Sequence, residues 1–164
     1  MKKKSLNFKS LFEPKTIAVV GASGKKENAA TRFISNLKYF GYQGKVIPIH
    51  PEEKQILGLE TYSSLSKIPY KVDYAFIAVK PEIVHEIIRS GKENVRFAQI
   101  MTSGFENLED GESIKSKILE TAKSGLTRVL GPNCIGTFSN RGKITFTKIK
   151  KTVLGSVSII SQSG

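Results

Sequence analysis

Small, hydroxylic and basic residues follow an apolar run near the start of the chain, and these residue types suit the binding of an anion. The run Thr16–Val20 leads into Gly21, Ala22, Ser23, Gly24, Lys25 and Lys26. Glycines let the backbone approach a phosphate, and the helix that follows would offer unpaired N–H groups at its positive end. A tight turn needs glycine for its own geometry as well, so this segment alone leaves ligand binding open.

The ends of the later apolar runs carry residues of the same kind. They read His50 and Pro51; Val79, Lys80 and Pro81; Thr102, Ser103 and Gly104; and Gly131, Pro132 and Asn133. Backbone N–H groups, hydroxyls and ammonium groups are the donors that phosphates prefer. Loops between strands and helices favour Gly, Pro and Ser in any protein, but this preference does not explain the lysines beside the first and third turns.

The alternation of strand and helix patterns predicts an α/β fold, a Rossmann-like, doubly wound parallel sheet. Ligands bind such sheets outside the carboxyl ends of the strands, so the residues above should meet at one edge. We expect a loop with room for a short helix over 57–68. We also expect Ile83 and Leu119 to face the core from their helices. The predicted strands are Thr16–Val20, Lys45–Ile49, 74–79, 97–101 and Arg128–Leu130, and the predicted helices are 28–40, one beginning at Pro81, and 113–123.

The alternation stops after the fifth strand. Residues 143–147 are typical of an edge strand or hairpin arm, residues 148–151 of a basic linker, and residues 157–160 of a new apolar strand. We therefore expect an N-terminal lead-in over 1–15, the Rossmann-like domain over 16–150, and the first strand of a truncated second domain within 151–164.

Composition narrows the class of protein. The chain has 164 residues, 39% of them hydrophobic, and one cysteine, which favours a cytoplasmic protein without an internal disulfide. No apolar run reaches the length of about 20 residues that a membrane span requires, and no secretory signal is recognised. The net charge of +12 favours anionic partners. Its lysines are scattered and not interleaved with aromatic residues, so nucleic acid is not the expected partner.

The sequence offers no arrangement for catalysis or metal binding. His85 shares the polar side of its helix with charged residues, and we expect it on the solvated surface. His50 lies at a strand end, where a ligand contact and a plain turn are both open interpretations. Cys134 has no activating base that the sequence can locate, and no His or Cys cluster has ligand spacing. We therefore predict no catalytic residue and no metal.

An NAD(P)-binding domain of an oxidoreductase or redox sensor is the alternative. Such a domain requires a third glycine in the first turn and an acidic residue at the end of the second strand. The third glycine is missing here, and Glu52 and Glu53 come only after Pro51. The sequence therefore disfavours a dinucleotide.

Five motifs, in order along the chain, resemble the NDP-forming acyl-CoA synthetases, of the ADP-forming acetate–CoA ligase type and related to the succinyl-CoA synthetase α subunit. They are LFEPKTIAVVGAS (11–23), LGL (57–59), SGF (103–105), LGPNCIG (130–136) and IISQSG (159–164). The resemblance implies a domain that binds coenzyme A (CoA) or acyl-CoA. Residues 26–30 depart from the family's usual Pro-Gly-Lys-Val-Gly, and His50-Pro51 stands where Asn-Pro is usual.

The resemblance also implies roles for individual residues. Ser23, Gly24, Lys25 and Lys26 would lie along the nucleotide part of CoA, and Lys54 would approach one of its phosphates. The segment from Val79 through Lys80 to Pro81 would flank adenine or pantetheine, and Thr102, Ser103 and Gly104 would line the channel toward the thiol. Asn133 would face the site where a phosphohistidine meets the acyl group.

The family's catalytic histidine belongs to a domain that follows the Ser-Gln-Ser-Gly motif, and its nucleotide-grasp domain lies elsewhere again. The resemblance therefore implies a CoA-holding fragment or subunit that does not catalyse ligation alone. It also implies a partner subunit that carries the remaining domains.

Overall fold

The computed structural model describes residues 7–149 and 152–161. Its helices pack against both faces of a central β-sheet. Five strands make a parallel sheet in the spatial order Lys45–Ile49, Thr16–Val20, Val72–Ile77, Val95–Ile100 and Arg128–Leu130 (β2-β1-β5-β6-β7), which confirms the predicted doubly wound sheet. In chain order the elements are α1 (Lys9–Phe12), β1 (Thr16–Val20), α2 (Ala29–Phe40), β2 (Lys45–Ile49), β3 (Gln55–Ile56), β4 (Leu59–Glu60), β5 (Val72–Ile77), α3 (Pro81–Gly91), β6 (Val95–Ile100), α4 (Gly111–Ser124) and β7 (Arg128–Leu130), with short 3-10 turns at Leu65–Lys67 and Phe105–Asn107.

Both faces of the sheet are buried, which explains why its strands are continuously apolar. In β1, Ile17 and Val19 face one side and pack with α2, whose Phe33 stacks on Phe76 of β5 at 4.2 Å between ring centroids. Ala18 and Val20 of β1 face the other side, where α3 and α4 supply Val84, Ile88, Ile114 and Ile118. The alternation of side chains along the strand therefore builds two cores.

The strand order creates a switch point between β1 and β5. The chain leaves β1, returns through α2 to β2 on one side, and then crosses to β5 on the other side of β1. Successive connections on opposite sides leave a crevice at the carboxyl ends of β1 and β5, the usual ligand position in open α/β sheets.

The region predicted as a loop over 57–68 contains more structure than expected. Strands β3 and β4 form a hairpin whose two turn residues, Leu57 and Gly58, have φ of 52° and 77°. Two positive φ values suit a two-residue hairpin turn, but leucine is not a residue type from which such a turn is predicted. The short helix is confirmed as the 3-10 turn Leu65–Lys67.

Two of the predicted inward side chains point outward. Ile83 is 47% exposed and Leu119 is 53% exposed, so both predictions were wrong. Each helix buries one narrow stripe: in α4 the buried apolar residues Ile114, Ile118 and Ala122 recur every four positions, and Leu119 is turned away from that line.

The predicted strand over 157–160 is not formed in the structure. Val157, Ile159 and Ile160 are each more than 80% exposed, and within the described residues they take part in no strand. A strand needs a hydrogen-bonded neighbour, and an apolar sequence alone does not supply one. Residues 143–147 likewise make a single bridge, Ile144 with Ser139, instead of a strand. Residues 150–151 of the predicted linker over 148–151, and residues 162–164 of the IISQSG motif, fall outside the described residues, and the domain boundaries stay a prediction.

At the amino edge of the sheet, opposite the crevice, Asp73 of β5 ties the N-terminal segment down. Its carboxylate accepts hydrogen bonds from Ser10 Oγ at 2.8 Å, Lys15 N–H at 2.8 Å and Thr16 N–H at 3.3 Å. Arg96 Nε lies 3.8 Å away. The carboxylate is therefore the shared acceptor for three donors from the segment before and at the start of β1.

We predict that Asp73→Ala lowers the free energy of unfolding by about 2 kcal/mol, because several donors lose a charged acceptor at once. Urea denaturation measures this loss, with Glu109→Ala, an exposed acidic position, as the control. Equal stability of the two variants would contradict the role assigned to Asp73.

Candidate functional site

The first turn lies directly against the end of β5. Gly21 has φ of +101°, and a Cβ at this position would lie 2.2 Å from the Ala78 carbonyl oxygen. The Ala78 N–H donates to the Val20 carbonyl at 3.1 Å. Glycine is therefore required both by the backbone conformation and by the neighbouring chain. The ends of β1 and β5, which the sequence predicted to meet, are therefore in contact.

Short polar side chains close this turn onto the start of α2. Asn28 caps the helix: its Oδ1 accepts from Thr31 N–H, and its Nδ2 donates to the Gly21 carbonyl, both at 2.9 Å. Thr31 Oγ1 accepts from Ser23 N–H at 3.0 Å and donates to the Ser23 carbonyl at 3.1 Å. Sequence reasoning missed both residues, although Asn before a helical pattern is an N-cap signal.

The donors of the first turn are engaged by a carboxylate from the chain itself. Ser23 Oγ donates to Glu53 Oε1 and Gly24 N–H donates to Glu53 Oε2, each at 2.9 Å. The Glu53 side chain is 14% exposed. Glu53 follows β2 by four residues, so the acidic residue that the sequence placed too far along does fold back to the first turn. The late position of Glu53 in the sequence is therefore a weaker argument against dinucleotide binding.

His50 supports the Glu53 carboxylate from the end of β2. Its Nδ1 accepts from the N–H groups of Glu53 at 2.9 Å and Glu52 at 3.2 Å, so the proton of the neutral ring resides on Nε2. Nε2 lies 3.4 Å from Glu53 Oε1. The sequence left two interpretations of His50 open, a ligand contact and a plain turn. The geometry adds a third, in which the ring orders the loop that presents Glu53.

The surroundings of Glu53 favour its charged form. Partial burial opposes ionisation, but the hydrogen bonds from Ser23 and Gly24, together with the nearby His50 ring and Lys25 ammonium group, outweigh it. The pKa of the Glu53 carboxyl is therefore held below its ordinary value of 4.5. The first turn thus behaves as a site that stabilises a negative charge.

The remaining strand ends are joined in the same way. Thr102 Oγ1 donates to the Val79 carbonyl at 2.8 Å and accepts from Val79 N–H at 3.3 Å. Asn133 N–H donates to the Thr102 carbonyl at 3.0 Å, after a cis peptide between Gly131 and Pro132. We call the five linked strand ends the carboxyl rim: residues 21–24, 50, 53, 78, 79, 102–104 and 131–134.

A buried polar group holds the last part of the rim in place. Tyr74 donates a hydrogen bond to Gln99 Oε1, and Gln99 Nε2 donates to the Cys134 carbonyl at 2.6 Å. Burial raises the pKa of the Tyr74 phenol above its usual range. A Cβ on Gly136 would lie 2.5 Å from Gln99 Oε1. Cys134 contributes its backbone carbonyl to this arrangement.

The predicted site residues divide into two groups. The rim brings together Gly21, Ser23, Gly24, His50, Val79, Thr102 and Asn133, with Ser103, Gly104 and Pro81 adjoining them. Lys25, Lys26, Pro51, Lys54 and Lys80 are exposed around it. Ala22 is a partial correction: its side chain is buried in the core beside α2, so its backbone alone can face a ligand.

His85 is not a solvated surface residue, so that prediction was wrong. Its Nε2 lies 3.0 Å from Thr121 Oγ1, which joins α3 to α4 away from the rim. Within residues 7–149 and 152–161, no group of three potential metal ligands comes together. Across the same residues, no helix has the length and apolar character needed to cross a bilayer.

The comparisons with known proteins agree with this geometry. Residues 15–140 match the model of the CoA binding domain. This chain belongs to the CoA-binding domain family. An ADP-forming acetate–CoA ligase II of Archaeoglobus fulgidus is 36% identical in an alignment of 162 positions, which covers 96% of this chain and 24% of the relative. The α subunit of ADP-forming acetate–CoA ligase I of Pyrococcus furiosus is 35% identical in an alignment of 166 positions, which covers 97% of this chain and 36% of the relative.

Solved structures give the same relationship. The apo form of the dinucleotide-forming acetyl-coenzyme A synthetase 1 of Ca. Korarchaeum cryptofilum matches with a TM-score of 0.80 and 36% identity, over 90% of this chain and 32% of that one. The CoA-binding domain described here therefore spans a quarter to about a third of these relatives. It matches a part of NDP-forming acyl-CoA synthetases, and the alternative of an NAD(P)-binding domain is not favoured despite the position of Glu53.

We predict that Asn28→Ala lowers the free energy of unfolding by about 1 kcal/mol, the usual cost of a lost helix cap. Asn28→Asp keeps the cap acceptor but loses the donor to Gly21, so it should cost less. Chemical denaturation of the two variants checks this order. A greater loss for Asp than for Ala would contradict it.

We also predict that the Glu53 contacts stabilise the fold in a pH-dependent manner. Because the folded-state pKa lies below 4.5, this stabilisation is fully present above pH 4.5 and is lost as the pH falls through the lowered value. Denaturation of the wild type and Glu53→Gln from pH 7 to pH 3 should show a stability difference that shrinks in acid. Glu52→Gln controls for removal of a neighbouring charge, and a difference that stays constant with pH would contradict the prediction.

Proposed function

We propose that this domain binds CoA or acyl-CoA along the carboxyl rim and thereby serves an NDP-forming acyl-CoA synthetase. The observation that carries the proposal is the continuity of the rim: hydrogen bonds or close contacts link all five strand ends across the switch point. An elongated ligand with phosphates at one end and a thiol at the other fits an edge built in this way.

Different parts of the rim suit different parts of CoA. The first turn, with Ser23 and Gly24 as donors, suits a phosphate of the nucleotide portion. Lys25, Lys26, Lys54 and Lys80 lie exposed around it and supply positive charge. The small residues Thr102, Ser103 and Gly104 leave space for the pantetheine arm, which leads toward Asn133.

The same proposal assigns the domain a place in a larger enzyme. Its relatives are named as acetate–CoA ligases, and it corresponds to a fraction of their length. We propose that it holds CoA while domains on a partner subunit or elsewhere in the enzyme deliver the acyl group. The scattered lysines and single cysteine fit a cytoplasmic setting.

Isothermal titration calorimetry with CoA, acetyl-CoA and NAD tests the proposal. We predict that the chain binds CoA and acetyl-CoA more tightly than NAD. Lys54→Ala and Lys80→Ala should each weaken CoA binding by about two- to fivefold, the range expected for exposed ion pairs. These losses should diminish at high salt, because screening already weakens such pairs.

Lys67→Ala is the matched control. Lys67 is exposed but lies in the 3-10 turn Leu65–Lys67, which Asn94 holds at the amino edge of the sheet through the Leu65 and Ile68 carbonyls. This variant should bind CoA like the wild type. Heat released by NAD and none by CoA would refute the proposed function.

A further inference from the structure

The Glu53 carboxylate occupies the position on the first turn where a phosphate is expected. Its two oxygens take the Ser23 hydroxyl and the Gly24 N–H, and the protonated Nε2 of His50 lies beside it. These are the donors that would otherwise face an anionic ligand in the turn before α2. A Cβ on Gly24 would lie 2.6 Å from Glu53 Oε2, so the carboxylate packs directly against the backbone of this turn.

The backbone that carries Glu53 is fixed on both sides. Its N–H donates to His50 Nδ1 at 2.9 Å, and its carbonyl accepts from Thr61 Oγ1. Neither bond involves the side chain. The carboxylate can therefore leave the first turn by rotation of its own side chain, while the loop after β2 keeps its shape.

We propose that Glu53 is an internal competitor for the phosphate of the ligand. This inference rests on the proposed function, since it concerns the same rim. In the ligand-free domain the carboxylate satisfies the donors of the first turn, and CoA binds there when a phosphate displaces it. The affinity for CoA is then lowered by the work of breaking the Glu53 contacts. Glu53 thus sets the threshold concentration at which the domain fills.

Calorimetry with CoA on the wild type, Glu53→Gln and Glu53→Asp tests this inference. Gln keeps the shape but is a weaker acceptor, so we expect CoA to bind about tenfold more tightly, equivalent to about 1.4 kcal/mol. Asp keeps the charge but is one methylene shorter, which withdraws it from the two donors, so a gain is expected here too. Glu52→Gln removes one charge from the exposed neighbouring position and should leave the affinity unchanged. Thermal unfolding of each variant verifies that it is folded.

The outcomes separate the two proposals. A gain for Gln and Asp without a gain for Glu52→Gln supports the inference, and so does binding that appears in the Glu53 variants alone. Unchanged or weaker binding in the Glu53 variants, with CoA bound by the wild type, overturns the inference and leaves the proposed function standing. An equal gain for Glu52→Gln, or a gain for Gln without one for Asp, overturns it in favour of general charge repulsion. Absence of CoA binding in every folded variant overturns both.

Discussion

The contact between Gly21 and Ala78 is the constraint on which the rest of the site depends. The Ala78 carbonyl oxygen lies where a Cβ of residue 21 would be, so the turn after β1 packs directly against the end of β5. From this contact the start of α2 takes its position, and with it the Asn28 cap and the donors of Ser23 and Gly24. The crevice at the switch point is a consequence of backbone packing before any ligand is considered.

Polar groups with short side chains then fix the rim at little entropic cost. Thr102 bridges to Val79, Thr31 to Ser23, and Asn28 to Gly21. Ser, Thr and Asn side chains have few rotamers to lose, so their hydrogen bonds order loops efficiently. The long lysine side chains lie outside this framework, exposed to solvent. Shape and charge are thus supplied by separate sets of residues, and a ligand meets a preformed edge.

The sequence predicted the fold because burial on both faces of a parallel sheet leaves a strong pattern. The continuous apolar runs, the glycine after β1 and the proline at the start of α3 all mark elements that form as expected. Predictions that required knowledge of a neighbour were less successful. Ile83 and Leu119 are apolar yet exposed, and the apolar segment over 157–160 forms no strand within the described residues.

The candidate site shows the same division between local and distant information. The strand ends were predicted to converge, and those of β1, β2, β5, β6 and β7 do converge. What the sequence did not reveal is the return of Glu53 to the first turn, because it depends on the loop after β2 and on the bonds from His50 and Thr61. On a strongly basic chain that favours anionic partners, one would not expect a carboxylate of the protein itself to occupy donors that suit a phosphate. The two facts are compatible, since the Glu53 carboxylate is an internal anion that satisfies these donors until an external one arrives.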